Sequence, residues 1–358
     1  MKKVTTFGVA MAFIGAMIGA GFASGQEILQ FFGGFGINGV WGIVVAGVAY
    51  AACGALIMLV ALQMGTTNYN HLIVPGGNKV LLAVVDVFMA FLLFGMFSVM
   101  VAGAASLLQE QFGLPLLVGG VVMVILAVLT VYWGSDSLMA SFNIVVPLMI
   151  VCAIVISVLA ITQAPGIALY DTTDTVQPNG MVGNWFMSAL LFVFYSMLGA
   201  VGTLPDLALK LKERRGAVIG SLLGATVLGV IALIVYVAVM SHISQAAGAA
   251  MPMLTLANQI SPICGIIYIF VLFAAIYTTA VGALFGIKSR VDNMQKLSAP
   301  KKNLVIVAVA AVALLATQVG FVNLVSFLYP LYGYMGILVF VGMTVNLFRT
   351  RRKDRVLQ

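Results

Sequence analysis

The stretch Gly15 to Glu27, read G-A-M-I-G-A-G-F-A-S-G-Q-E, constrains this chain more than any other. It begins as an apolar helix and then meets Gly15, Gly19, Gly21 and Gly25 within eleven residues. Each glycine costs about 1 kcal/mol against Ala in a helix interior, so the spacing predicts a break. The stretch ends on a carboxylate, Glu27, at a depth where lipid excludes charge. Backbone groups freed by a break are tolerated in a bilayer only where they face protein or a water-filled cavity. A binding site at mid-membrane is therefore predicted. Close packing against another helix is the alternative reading of the glycines, but packing alone does not call for Gln26 and Glu27 directly after them.

That the solvent is a bilayer follows from composition. Residues of the hydrophobic class make up 63% of the chain and charged residues 8%, against about 25% charged in soluble domains. Cys53, Cys152 and Cys264 lie in apolar runs, are odd in number and lack metal spacing, which indicates neither a disulfide framework nor a zinc site. Met1-Lys2-Lys3 before an apolar run also fits a secretory signal cleaved near Ala23-Ser24-Gly25. The apolar run continues through Ile28, Leu29, Phe31 and Phe32, however, and so favours a second half-helix.

Windows of about 20 apolar residues give ten spans, near 4 to 32, 38 to 64, 79 to 109, 114 to 133, 141 to 162, 184 to 207, 216 to 240, 263 to 287, 303 to 321 and 323 to 348. With the N-terminus inside, all 17 basic residues fall in inner segments, from Lys2 and Lys3 to a tail holding Arg349, Arg351, Arg352, Lys353 and Arg355. So strict a partition predicts a multi-pass protein of a bacterial-type cytoplasmic membrane with both termini cytoplasmic. The net charge of +7 is thereby an orientation signal that also suits anionic lipid; it requires no nucleic-acid partner.

Ten spans divide into two sets of five. Residues 1–163 form the first, 164–183 a polar outer loop with Pro165, Asp171, Asp174 and Pro178, 184–348 the second, and 349–358 the basic tail. Span six carries Y-S-M-L-G-A-V-G-T-L-P-D from Tyr195 to Asp206, where Gly199, Gly202 and Pro205 again discourage a continuous helix. Interrupted spans at corresponding places in two halves point to an inverted-repeat transporter with its site at the breaks. The predicted fold is all-α and integral to the membrane: ten transmembrane helices in a 5+5 inverted repeat, with helix one unwound over Gly19 to Gly25 and helix six over Met197 to Gly202. Between spans seven and eight, Ser241 to Pro262 is semi-polar and carries Met251, Met253, Leu254, Leu256 and Ile260, which fits a helical hairpin dipping into the outer vestibule or a plain surface loop.

The 5+5 arrangement with breaks in spans one and six resembles the amino acid-polyamine-organocation superfamily and its LeuT-type fold. The string G-A-G-F-A-S-G-Q-E and the length are similar to those of the bacterial YkvI-like membrane proteins. The resemblance implies a secondary active transporter, a symporter of a small organic solute such as an amino acid or a related zwitterion or amine, driven by Na+ or H+. It implies freed amides around Gly19, Ala20 and Gly21, with Phe22 and Ala23 beside them, as the substrate position. From span six it implies the side chains of Phe194 and Tyr195 and the backbone of Met197 to Gly199. It also implies a Na+ site joining Ala275, Thr278 and Thr279 to the carbonyls of Gly15 and Ile18. The i, i+3, i+4 spacing of that triplet puts two hydroxyls and a carbonyl on one helix face, and hard cations take oxygen ligands. Thr hydroxyls that merely bond the i−4 carbonyl are the alternative. Phe22 stands where a second sodium site would need a polar side chain, so one ion is expected, with no organic cofactor.

Ionisable residues inside spans are functional by default. Glu27 is read as the receiver of a substrate ammonium or of a coupling proton, and otherwise as an anchor for its half-helix. Asp86 is a second coupling residue, or a group in the inner vestibule. Asp206 and Lys210, at i and i+4, are a surface pair. Span five, Ser141 to Thr162, holds no charge; some proton-driven relatives place a cation there, which tilts the driving ion toward Na+. A channel would need a filter or charged ring. An enzyme would need a cluster that neither His71, His242 nor Gly134-Ser135-Asp136 forms, so no catalytic residue is assigned. A non-transporting solute receptor on the same fold remains an alternative, as does proton coupling. Substrate identity and oligomeric state are not legible.

Overall fold

Helix is the form in which an apolar chain meets its own backbone hydrogen bonds in lipid. The computed structural model is all-α through residues 5–133, 136–164, 176–294 and 297–356, which are the residues it describes. Asp171, Asp174, Pro165, the Gly134-Ser135 pair, Lys2, Lys3 and Lys296 lie outside them.

Helix α1 (Thr6–Met17) opens on Thr5, whose hydroxyl accepts the Gly8 N–H at 3.1 Å. It is followed by a single turn, α2 (Ala20–Ala23), and by α3 (Gln26–Phe32). Then come α4 (Ile37–Met64), the short α5 (Tyr69–Ile73), α6 (Lys79–Phe112), α7 (Leu116–Trp133) and α8 (Asp136–Gln163). Gly65 and Gly113, at φ +63° and +66°, close α4 and α6 in the left-handed conformation that favours glycine. The second half runs through α9 (Trp185–Ala200), α10 (Leu204–Leu211) and α11 (Arg214–Ser241). It continues as α12 (Ile243–Ala246), α13 (Pro252–Ile260), α14 (Pro262–Asp292), α15 (Ala299–Val319) and α16 (Phe321–Val356). Helix α16 thus carries the chain on through the basic tail.

Among the described residues, α4, α6, α8, α11, α14, α15 and α16 are long and apolar enough to cross a membrane. The pair α9 and α10, bent by 65°, makes an eighth, and Thr6–Met17 and Leu116–Tyr132 are shorter apolar helices. Residues 241 to 262 resolve the two readings of that segment in favour of helix: α12 and α13 bury Met251, Met253, Leu254 and Leu256.

Two predicted interruptions differ in detail. Span one is broken twice rather than unwound throughout, at Ile18-Gly19 and at Gly25, with the turn α2 between. In span six, Met197 to Ala200 are helical and the break is Val201 to Thr203. Pro205 sets that position, because it has no N–H to offer the Val201 carbonyl one turn back. Gly199 is in the helix, where it costs stability without ending it.

Helix α1 packs against α11 and α9, and α16 lies along α9. Gly333 and Gly336 permit that last approach. A Cβ on Gly333 would stand 2.6 Å from the Leu191 carbonyl oxygen, and one on Gly336 would stand 2.7 Å from that of Phe194. Backbone cannot step aside as a side chain can. Gly333→Ala is therefore expected to destabilise the protein by about 1–3 kcal/mol, lowering the thermal midpoint in detergent. Gly47→Ala, with open space around it, should be neutral or stabilising by roughly 0.5–1 kcal/mol. Equal midpoints for the two variants would refute the backbone contact between α9 and α16.

Candidate functional site

The double break leaves backbone groups that the rest of the molecule must satisfy. The Ile18 N–H still reaches the Ile14 carbonyl at 2.9 Å, and the next loop bond is from the Ala23 N–H to the Gly19 carbonyl at 3.0 Å. Among the described residues, neither the Gly15 nor the Ile18 carbonyl accepts a backbone hydrogen bond. At the far end of α2 the orphan carbonyls find partners on other elements. The Tyr268 hydroxyl of α14 donates to the Ala23 carbonyl, and the Met253 N–H of α13 donates to the Ser24 carbonyl at 2.9 Å. The Ser24 hydroxyl donates back to the Gly21 carbonyl at 2.8 Å and accepts the Gln26 N–H at 3.2 Å. Gly25, at φ +79°, turns the chain into α3, and its Cα lies so close to Met253 that a Cβ would be 2.9 Å from that side chain.

This turn aims Glu27 back at the break. A Cβ built on Gly21 would be 2.0 Å from Glu27 Oε1, so the carboxylate sits directly against the Gly21 backbone. Glu27 is 6% exposed, and the Tyr195 hydroxyl lies beside its carboxyl group. No basic side chain pairs with it among the described residues. Tyr50 and Tyr329 also lie near it. Tyr195 stacks on Tyr329 with ring centroids 4.4 Å apart, and on Phe31 at 5.7 Å with the planes 4° from parallel. Phe192 touches Phe31, Tyr50 and Tyr195 edge-on or tilted, and the Tyr50 and Ser196 oxygens are 2.6 Å apart. Gln26 next to Glu27 is 1% exposed, and its side-chain oxygen has no hydrogen-bond partner.

The structure thus brings Gly21, Glu27 and Tyr195 together, with Ala20, Phe22, Ala23 and Met197 buried around them. Gly19 and Gly199 have nothing within 4 Å of a would-be Cβ, and Gly199, one turn beyond Tyr195 on the same face, is exposed. Phe194 is a correction: it follows Val193 round the helix, away from Glu27, and its ring lies 5.4 Å from Phe340 in an apolar groove between α4, α9 and α16.

Asp86 is the second correction. It accepts hydrogen bonds from Tyr69 at 3.1 Å and Asn70 at 3.2 Å, lies 3.6 Å from Arg290, and its side chain is 48% exposed. Arg290 also donates to the Asp86 carbonyl at 3.1 Å and to the Tyr69 hydroxyl. These contacts tie α5 and the first turns of α6 to the end of α14, far in sequence from the breaks. A pair so exposed contributes little stability and has no route to Glu27 through described contacts. Asp206 and Lys210 form the surface pair expected of them.

Of the proposed ion ligands, Thr278 and Thr279 both donate to the Ala275 carbonyl, at 3.0 and 2.9 Å. This is the helix-internal pairing, and it leaves the lone pairs of both hydroxyls as acceptors. Helix α14 packs against α2, the turn that follows Ile18. Sequence reasoning missed Tyr50, Phe31, Phe192, Tyr268, Met253 and Tyr329. The available signal was the tyrosine hydroxyl itself, since one in an apolar span needs a polar partner; Y-P-L-Y at Tyr329 to Tyr332 is the clearest case.

No family model matches the chain. It is 26% identical over 349 residues to the membrane protein YkvI of Bacillus subtilis strain 168, covering 97% of each chain. Its backbone is similar to that of MhsT in complex with L-phenylalanine, with a TM-score of 0.60, 16% identity and coverage of 96% of this chain and 97% of that one. It is also similar to Mhp1, a nucleobase-cation-symport-1 family transporter in a closed conformation with bromovinylhydantoin bound. There the TM-score is 0.58 at 16% identity, covering 92% and 75% of the two chains. The chain is thus similar along nearly its whole length to YkvI, and its backbone takes the LeuT-type fold seen in MhsT and Mhp1.

Proposed function

We propose that this protein is a secondary active transporter of a small organic solute, an amino acid or a related zwitterion or amine, and that Na+ drives it. The observation that carries the reading is Glu27, a carboxylate buried against the backbone of a broken helix with no basic partner among the described residues. Structural carboxylates buried at such depth are paired; one left open is suited to a ligand that comes and goes. The LeuT-type fold, shared with the nucleobase-cation-symport-1 family transporter Mhp1, supports the same class of function.

In this reading α1 to α3 form one broken span, α9 and α10 another, and α7 completes a set of ten. The two sets of five helices are related by inversion, and the basic ends of α6, α14 and α16 face the cytoplasm. Solute occupies the space beside Gly21, Glu27 and Tyr195. The end of α9, where Gly199, Gly202 and Thr203 are exposed, is its route to the basic side, while α12 and α13 cover the opposite end.

The ion is assigned to Ala275, Thr278 and Thr279 with the unbonded carbonyls of Gly15 and Ile18. Proton coupling is the second reading, and the same unpaired Glu27 favours it.

Two measurements test these assignments. A cysteine placed at Arg351 should react with a membrane-impermeant maleimide only after the membrane is opened; labelling of intact cells would reverse the orientation. Thr279→Val keeps the side-chain shape and removes one oxygen, at a cost of about 1–3 kcal/mol for the under-coordinated ion. Apparent Na+ affinity in proteoliposome uptake should then fall roughly 5- to 150-fold. Uptake that ignores Na+ and follows a pH gradient would reject the sodium site and leave Glu27 as the proton carrier.

A further inference from the structure

We infer that the solute taken at Glu27 is an organic amine without a carboxylate of its own, because Glu27 already fills the place beside the Gly21 backbone. The inference rests on the transport reading above and narrows its substrate class.

Three observations carry it. The first is steric: with Oε1 2.0 Å from where a Gly21 Cβ would stand, the protein's own carboxylate takes up the space on that side of the α2 turn, beside the broken backbone. The second is electrostatic. A solute carboxylate entering beside Glu27 would meet a like charge in a low-dielectric site, and no Lys, Arg or His of the described residues stands there to compensate. The third is the wall. Tyr195 and Tyr329 are stacked with Phe31 around the acid, and Phe192 closes the group. Aromatic faces attract ammonium groups held within about 6 Å of the ring, most strongly when water is absent. A divalent metal fits less well, since it takes six or more oxygens and no cluster of three acid, His or Cys ligands exists among the described residues. An ammonium needs what is present: one carboxylate, hydroxyl and carbonyl acceptors, and aromatic faces for its carbon substituents.

The test compares molecules that differ only in their charged groups. Isobutylamine, valine and isovalerate form one set; phenethylamine, phenylalanine and 3-phenylpropionate form another. Binding to the purified full chain in detergent is read by calorimetry, with the thermal midpoint as a check on folding. The amine of at least one set should bind 10-fold or more tighter than its amino acid, and neither acid should bind. Glu27→Gln preserves shape and should weaken the amine about 10- to 150-fold, the loss expected for a hydrogen bond to a charged group.

Gly21→Ala is the second variant. Its methyl would meet only the flexible end of Glu27, so the protein should fold while the displaced carboxylate loses the amine by a similar factor. Amino acids that bind as tightly as their amines would overturn the inference, as would amine binding indifferent to Glu27→Gln or silence from both amines. Glu27-dependent amine binding without uptake into proteoliposomes would uphold the inference and defeat the transport reading. Na+-driven uptake of valine with isobutylamine ignored would do the reverse.

Discussion

Everything in this fold hangs on how the backbone of span one survives its own interruption. Breaking a helix in lipid exposes N–H and C=O groups that each cost several kcal/mol when unmet. Here the carbonyls of Ala23 and Ser24 are met by Tyr268 and by the Met253 N–H, which belong to α14 and α13. The hairpin of α12 and α13 is therefore part of the broken span's hydrogen bonding. At the same end of the bundle the Ala250 N–H donates to the Glu110 carboxylate at 2.6 Å, fixing the hairpin to the last turns of α6. These bonds fix the α3 side of the break, which is where the chain turns Glu27 back toward Gly21.

That charged group explains the aromatic architecture around it. A carboxylate in an apolar interior is tolerated when hydrogen-bond donors and a counter-charge attend it. The Tyr195 hydroxyl stands beside it; in our proposal the counter-charge arrives with the solute. The stack of Phe31, Tyr195 and Tyr329 comes from three separate helices, α3, α9 and α16. Movement of α9 relative to the broken span would thus open or close the wall of the site. Gly333 and Gly336 hold α16 against α9 by backbone contact, so these two helices are built to move together. The network of Tyr69, Asp86 and Arg290 joins α5, α6 and α14 at the end that carries Lys79 and Arg290.

Much of the fold was legible because membrane helices announce themselves by length and apolarity. Ile37–Met64, Lys79–Phe112 and Arg214–Ser241 fall within a few residues of the expected spans. Glycine reported span one well, since four in eleven residues leave no stable helix, but it misplaced the break in span six. There Pro205 decides, through a missing N–H that acts one turn upstream. The site was half legible. Glu27 stood out as a charge in an apolar run, and Gly21 and Tyr195 were expected near it. Tyr329 and Tyr50 are far from it in sequence, and no local pattern says which face of α16 or α4 meets α3. For Asp86 the two readings, coupling residue or group in the inner vestibule, were not separable in the sequence, because its partner Arg290 lies 204 residues away.

The central claim is that Glu27 marks where the solute sits. A structure of the protein determined with a transported solute bound tests it most directly. Density within hydrogen-bonding distance of Glu27, flanked by Tyr195 and the α9 break, is the expected result. Solute lodged instead in the outer cleft lined by Glu110, Gln111 and Asn258, with the Glu27 surroundings unchanged, would contradict it.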